Sequence, residues 1–206
     1  MQARRQAAAE MPLRTVLRDH RAVLLPAMIL TCVLTSAVVV LVVITPTMMQ
    51  KTFGMSPSHT FALSALGIVF LNIGCVLAGL LVDRIGAWRA VLVYSLLLPV
   101  GIAVLYASLI NGGVWLGAAY AVAGLSCGVV GAVPSVMVGL FPAQVRVSGI
   151  SFTYNIAYAL WASTTPLLLI ALMPTSPWIC VGYCVVMGAV GVASVARFGK
   201  RHTLAT

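Results

Sequence analysis

Six long apolar stretches dominate this chain of 206 residues. A helix needs about 20 predominantly apolar residues to cross a bilayer, and each stretch reaches that length. The predicted spans are 22–45, 59–82, 89–110, 114–140, 149–172 and 178–197. Because they are continuously apolar rather than alternating, they predict helices and not the strands of a barrel. We therefore expect an all-α, polytopic membrane protein with a transmembrane domain over residues 22–197.

The basic residues predict how the chain is oriented. Ten of the twelve fall on one side of this threading, and an eleventh, Arg89, borders that side. The ten are Arg4, Arg5, Arg14, Arg18, Arg21, Arg84, Arg146, Arg197, Lys200 and Arg201. Lysine and arginine accumulate in short loops on the cytoplasmic side. We therefore expect both terminal segments, 1–21 and 198–206, to be cytoplasmic.

Composition limits the classes of protein and partner. The chain is 62% hydrophobic and 7% charged, whereas soluble domains carry about 25% charged residues. The net charge of +9 comes from dispersed residues rather than from a basic patch. We therefore expect the lipid bilayer as a partner and no nucleic acid. All five cysteines fall within apolar stretches without metal-ligand spacing, so we predict no metal, no cofactor and no disulfide framework.

Ionisable groups are missing from the middle of every predicted span. The acids and histidines lie outside the spans or at their ends, and they are Glu10, Asp19, Asp83, His20, His59 and His202. An ionisable side chain inside the membrane is the usual mark of a proton relay or an ion site. The chain by itself therefore lacks a carboxylate that could couple transport to protons within the bilayer.

An intramembrane hydrolase is the enzyme alternative, and it needs a serine activated by a histidine base. Ser126, between Gly124 and Gly128, supplies the serine only, because no histidine lies at that depth. We therefore predict no catalytic residue and expect Ser126 to be a helix-packing hydroxyl. Small residues let membrane helices approach closely, so Gly124, Gly128 and Gly131 predict a packing surface.

The turn between the second and third spans carries an unusual group of charges. It contains Gly79, Asp83, Arg84, Gly86 and Arg89. Gly79 is expected to admit a neighbouring helix and Gly86 to permit a tight reversal. Asp83 is the only acid between residues 20 and 206, so we expect a basic partner to compete for it.

This turn resembles the signature of the major facilitator superfamily, G-x-x-x-D-R-x-G-R-[RK]. Gly79, Asp83, Arg84 and Gly86 match, whereas Ala87 and Trp88 stand where that family usually has basic residues; Arg89 is a partial substitute. The resemblance implies an ionic latch in which Asp83 meets Arg84 and Arg146. The alternative is that these charges only anchor the turns at the membrane surface.

A second segment, residues 140–151, reads LFPAQVRVSGIS. It is similar to a turn of the metabolite:proton symporter group, which includes the proline/betaine, shikimate, citrate and 2-oxoglutarate transporters. There the turn lies between the tenth and eleventh helices. The resemblance covers residues 12–198 and implies one carboxyl-terminal half, of six helices, of a twelve-helix transporter. It also implies a multi-pass protein of the plasma membrane, which in bacteria is the inner membrane.

The fifth span carries the candidate solute-lining residues. Tyr154, Tyr158, Trp161 and Thr165 recur at i, i+4, i+7 and i+11, which places them on one helical stripe, and Asn155 lies beside it. Further polar candidates within the first and second spans are Thr31, Thr35 and Asn72. Interhelical hydrogen bonding is the alternative role for all of these side chains, since hydroxyls also bond to their own helix.

The function that these features imply is secondary active transport of a small polar solute or an organic acid by alternating access. A half-transporter needs a second six-helix half, or a second copy of itself, to enclose a pathway. Any symported proton would then require an acid from that partner. The alternative outside transport is a membrane interaction or scaffold protein without transport activity.

Overall fold

The bundle consists of six helices that are long and apolar enough to cross a membrane, as the apolar stretches predict. The computed structural model describes residues 16–18, 21–174 and 176–199; segments 1–15 and 200–206 of the predicted termini lie outside them. The structure is 87% helical, and the described residues contain no strand, which confirms the all-α prediction. The helices are α1 (Arg21–Lys51), α2 (Pro57–Ile85), α3 (Ala87–Ile110), α4 (Leu116–Leu140), α5 (Arg146–Leu172) and α6 (Ile179–Gly199).

Helix α1 is longer than the sequence predicts, because it continues through Pro46 to Lys51. The predicted end at residue 45 is wrong. A π-helical turn spans Val40–Ile44, and both the backbone N–H and the Oγ1 hydroxyl of Thr45 bond to the Val40 carbonyl, the hydroxyl at 2.8 Å. Pro46 therefore stands at the start of a new α-helical segment, where its missing N–H does not end the helix.

Helix α4 is interrupted in its middle, whereas the sequence predicts one continuous helix. Its α-helical parts are Leu116–Ser126 and Val129–Leu140. At the junction the Cys127 N–H bonds to the Gly124 carbonyl at 3.1 Å and the Gly128 N–H to the Leu125 carbonyl at 3.2 Å. These tighter i to i−3 bonds overwind the chain locally, so the two halves of α4 differ in register.

Glycines with positive φ shape two of the connections between helices. Gly86 joins α2 directly to α3 with a φ of 88°, and Gly112 and Gly113 follow α3 with φ values of 82° and 74°. An L-residue with a side chain rarely adopts a positive φ, so glycine is required at these turns. The tight reversal that the sequence predicts at Gly86 is confirmed.

Burial divides the helices into inner and outer ones. In the most apolar stretch of each helix, 67% of the residues of α1 are buried, but only 17% of those of α2 and 17% of those of α5. Helix α2 packs along α4, α3 packs against α4 and α6, and α1 contacts α4, α5 and α6. The core therefore forms around α1, α3 and α4, and α2 and α5 present most of their surface outward.

Helices α2 and α4 meet along a line of glycines that we call the glycine seam, formed by Gly67 and Gly74 on α2 and Gly124 and Gly128 on α4. A Cβ added at Gly124 would lie 2.5 Å from the Gly67 carbonyl oxygen. One added at Gly128 would lie 2.6 Å from the Gly74 carbonyl oxygen. One added at Gly131 would likewise strike the backbone of the next turn of α2. The predicted packing surface is confirmed, because any side chain here would strike backbone atoms.

Candidate functional site

The stripe on α5 contains two tyrosines that face each other. The rings of Tyr154 and Tyr158 stack with centroids 5.5 Å apart and planes 18° from parallel. Both side chains are half-buried, and neither hydroxyl bonds to a residue that the structure describes. A phenol within the bilayer needs a hydrogen-bonding partner, so these two hydroxyls are available to water or to a solute.

Trp161 and Thr165, further along the same stripe, are tied to other helices. The Trp161 indole N–H donates to the Ser36 hydroxyl of α1 at 3.0 Å. The Tyr183 hydroxyl of α6 lies 2.8 Å from the Ser36 hydroxyl and 2.8 Å from the Thr165 hydroxyl. We call these four residues the hydroxyl network, which joins α1, α5 and α6.

The protons of the hydroxyl network have one consistent arrangement. Ser36 donates to the Cys32 carbonyl at 2.8 Å, which leaves its oxygen to accept from Trp161 and Tyr183. Tyr183 then donates to Ser36 and accepts from Thr165. Every proton of these bonds is used, so Trp161 and Thr165 join helices in this structure. Their role in lining a solute pathway stays a prediction.

The outward side of α5 is polar beside the tyrosine pair. Asn155 is exposed, and its amide donates to the Ser151 carbonyl at 2.7 Å. Ser151, Asn155 and Tyr158 recur at i, i+4 and i+7, so they lie on one side of the helix. With Tyr154 these residues form what we call the α5 polar face. It lies at the surface of the described bundle rather than in its core.

A comparison of α5 with α2 indicates what the α5 polar face meets. Both helices are 17% buried, but the mean hydropathy of α5 is 1.4 and that of α2 is 2.5. The outward residues of α2 include Phe61, Val69 and Val76, which suit contact with lipid tails. The exposed surface of α5 is mixed: Leu160 and Leu167 suit lipid tails as the outward residues of α2 do, whereas the α5 polar face suits water or another protein surface.

The remaining polar candidates lie on α1 and α2. Thr31 and Thr35 are fully buried and donate to carbonyls of their own helix, those of Ala27 and Thr31, at 2.9 and 2.8 Å. Asn72 is exposed on α2 and donates to the Ile68 carbonyl at 2.8 Å. None of these hydrogen bonds joins the three side chains to the α5 polar face.

The charged turn between α2 and α3 is exposed. Asp83, Arg84 and Arg89 are all exposed, and no described residue forms an ion pair with Asp83. A Cβ added at Gly79 would meet nothing within 4 Å. No described helix approaches Gly79, because α2 lies on the outside of the described bundle at this level, so the close approach predicted there stays a prediction. Gly86 has the predicted role in the reversal.

Arg146, the expected partner of Asp83, opens α5 and is half-buried. Its Nε donates to the Phe141 carbonyl at 3.2 Å, which caps the end of α4. A cation near the last carbonyls of a helix is favourable because those carbonyls carry partial negative charge. Arg146 thus fastens the turn between α4 and α5 in this structure, and the latch with Asp83 stays a prediction.

Ser126 has the packing role that the sequence predicts. Its hydroxyl donates to the Ala123 carbonyl at 2.7 Å, and its side chain fills the space left by Gly101 on α3. His59, the one histidine among the described residues, lies in the first turn of α2, where its backbone N–H donates to the hydroxyl of the N-cap residue Ser56; it is far along the chain from Ser126. In the described part of the chain no group of three His, Cys, Asp or Glu side chains could hold a metal ion.

Fold and surface together define the class: a multi-pass helical membrane protein with a polar outward face on one helix. A family model of the Major Facilitator Superfamily matches residues 2–166. The chain belongs to this superfamily, and a transporter is the function that the family and the six apolar helices support. No curated protein and no solved structure matches the chain.

Sequence reasoning missed two residues of the hydroxyl network, Ser36 and Tyr183. Both stand within apolar runs, where a lone hydroxyl gives no periodic pattern. An indole N–H in lipid needs a hydrogen-bond acceptor. A search for a small hydroxyl residue on another span at the same predicted depth as Trp161 could therefore have found Ser36.

Proposed function

We propose that this chain is one half of a secondary active transporter that moves a small polar solute or an organic acid by alternating access. The observation that supports this proposal most directly is the α5 polar face. There the phenols of Tyr154 and Tyr158 stack on each other, bond to no described residue, and lie beside the exposed amide of Asn155. Phenols and amides bind carboxylates and zwitterions through hydrogen bonds without a fixed charge. The resemblance of residues 140–151 to the metabolite:proton symporter group supports this solute class.

A partner completes the pathway in this proposal. The α5 polar face lies at the outside of the described bundle, so a solute bound there needs a second wall to be shielded from lipid. A second six-helix half, or a second copy of the chain, would provide that wall. Proton symport would also require the partner to supply an acid, because the one described carboxylate, Asp83, is exposed at the end of α2 rather than in the middle of a span.

Uptake into proteoliposomes tests the proposed site. The chain is reconstituted alone and with the six-span segment, if any, encoded directly upstream, and labelled proline, betaine, shikimate, citrate and 2-oxoglutarate are offered. We expect uptake with the partner, and we expect Tyr158→Phe to lower it about two- to tenfold, the effect of losing one hydrogen bond. Leu160→Ala, on an apolar and exposed part of α5, is the matched control and should transport normally.

The outcomes separate the alternatives. Uptake that Tyr158→Phe and Tyr154→Phe leave unchanged would remove the α5 polar face from the pathway. If no preparation takes up any solute but the chain still assembles with other membrane proteins, the scaffold alternative would replace transport.

Asp83→Asn tests the proposed latch. The substitution keeps the size of the side chain and removes its charge, so insertion and folding should be unaffected at this exposed position. If Asp83 meets Arg146 in another conformation, the loss of that pair should change the transport rate severalfold. Measured uptake at the wild-type rate, with normal protein levels in the membrane, would leave these charges as turn anchors only.

A further inference from the structure

A groove between the first turns of α1 and the last turns of α6 has no role in the proposed pathway. Its volume is about 490 Å³. The lining residues come from two helices and are Ala22, Leu25, Ile29, Val190, Ala193, Ser194, Arg197 and Phe198. Six of them are apolar, and no residue of the α5 polar face is among them. The walls therefore suit a hydrocarbon chain.

One end of this groove is basic. Arg197 lies in the π-helical turn Val195–Gly199 that ends α6, is exposed, and bonds to no described residue. Arg21 directly precedes the lining residue Ala22 in the chain but does not line the groove, and its Nε donates to the Leu17 carbonyl at 2.8 Å. The Ser194 hydroxyl, by contrast, is satisfied by the Val190 carbonyl at 2.8 Å. Arg197 is thus the lining residue whose donors are not used by any residue that the structure describes.

The basic end of the groove lies at the level of the membrane surface. Trp88 packs beside the end of α6, since a Cβ added at Gly199 would lie 3.6 Å from its ring, and tryptophan concentrates at the headgroup level. Six of the seven described basic residues lie at this end of the bundle, and Lys51 lies at the opposite end. The six are Arg18, Arg21, Arg84, Arg89, Arg146 and Arg197.

We propose that this groove binds an anionic phospholipid, with an acyl chain between α1 and α6 and the phosphate at Arg197. Basic pockets between membrane helices hold acidic headgroups through charge attraction and bidentate hydrogen bonds from arginine. The apolar walls favour a lipid over free phosphate, because only a lipid removes that apolar surface from water and places its charge at the membrane surface.

Lipid titration of the purified, delipidated full chain tests this inference. Binding of phosphatidylglycerol and phosphatidylcholine is measured by native mass spectrometry. We expect a preference for phosphatidylglycerol that Arg197→Gln lowers about fivefold, the effect of one basic residue beside anionic lipid. Arg197→Lys should keep most of it. Arg89→Gln, at the same membrane face but outside the groove, is the matched control and should keep it entirely.

A second variant tests the hydrocarbon walls. Ala193→Phe fills the groove without changing its charge, so it should weaken both lipids alike. The inference fails if Arg197→Gln leaves the preference intact, if Arg89→Gln removes as much of it, or if Ala193→Phe has no effect on either lipid. Displacement of the lipid by inorganic phosphate would instead show a site for a free anion.

Discussion

Gly124→Ala should destabilise the six-helix bundle by about 1–3 kcal/mol, the range found when a packed interior is overfilled. The added methyl group would lie 2.5 Å from the Gly67 carbonyl oxygen and 2.9 Å from the Leu71 backbone nitrogen. Both are backbone atoms, so neither moves aside by a change of rotamer. Helix α2 would have to shift away from α4 along the glycine seam. Thermal unfolding in detergent measures the loss.

Gly139→Ala is the matched control for this prediction. Gly139 lies on the same helix, and a Cβ added there would meet nothing within 4 Å. Alanine lowers the conformational freedom of the unfolded chain, so this variant should be as stable as the wild type or up to about 1 kcal/mol more stable. Equal destabilisation by both substitutions would mean that the glycine seam is not tightly packed.

Tyr183→Phe should lower stability by about 1–3 kcal/mol, because one hydroxyl bonds to both Ser36 and Thr165 at 2.8 Å. Interhelical hydrogen bonds in membrane proteins contribute about 0.6 kcal/mol on average and up to about 1.7 kcal/mol. Two bonds are lost together, and the Thr165 hydroxyl, which is 2% exposed, loses its acceptor. The unfolding midpoint in a detergent titration gives the change.

Tyr158→Phe serves as the control for this second prediction, since the structure gives its hydroxyl no described partner. It should leave stability unchanged while lowering transport, whereas Tyr183→Phe should lower stability. Adding Thr165→Val to Tyr183→Phe should cost less than the sum of the separate changes, because both remove the same bond. Strict additivity would argue against the hydroxyl network.

The helices were predictable because the bilayer imposes a demand that does not depend on packing. A backbone in lipid must satisfy its own hydrogen bonds, so length and hydropathy suffice to place a span. The glycine seam was predictable for a similar reason, since Gly124 and Gly128 are one helical turn apart and only a close neighbour explains two such residues. Gly86 followed from its position in a very short turn.

The arrangement of the α5 stripe could be predicted only in part. Spacing alone placed Tyr154, Tyr158, Trp161 and Thr165 on one stripe, and the structure keeps them there. Spacing could not show that the stripe divides, with the first two residues unpartnered and the last two bonded to α1 and α6. That division depends on how each helix is rotated, which is decided by packing over the whole bundle.

By itself the sequence determined the number and position of the spans, the membrane class and the glycines that shape the turns, because each follows from local composition in a uniform solvent. Only the tertiary structure decided that α1 continues past Pro46, that α4 breaks at Cys127 and Gly128, and that Gly79 faces open space. Those features depend on which atoms of distant segments meet, and neighbours that are distant in sequence leave no local pattern.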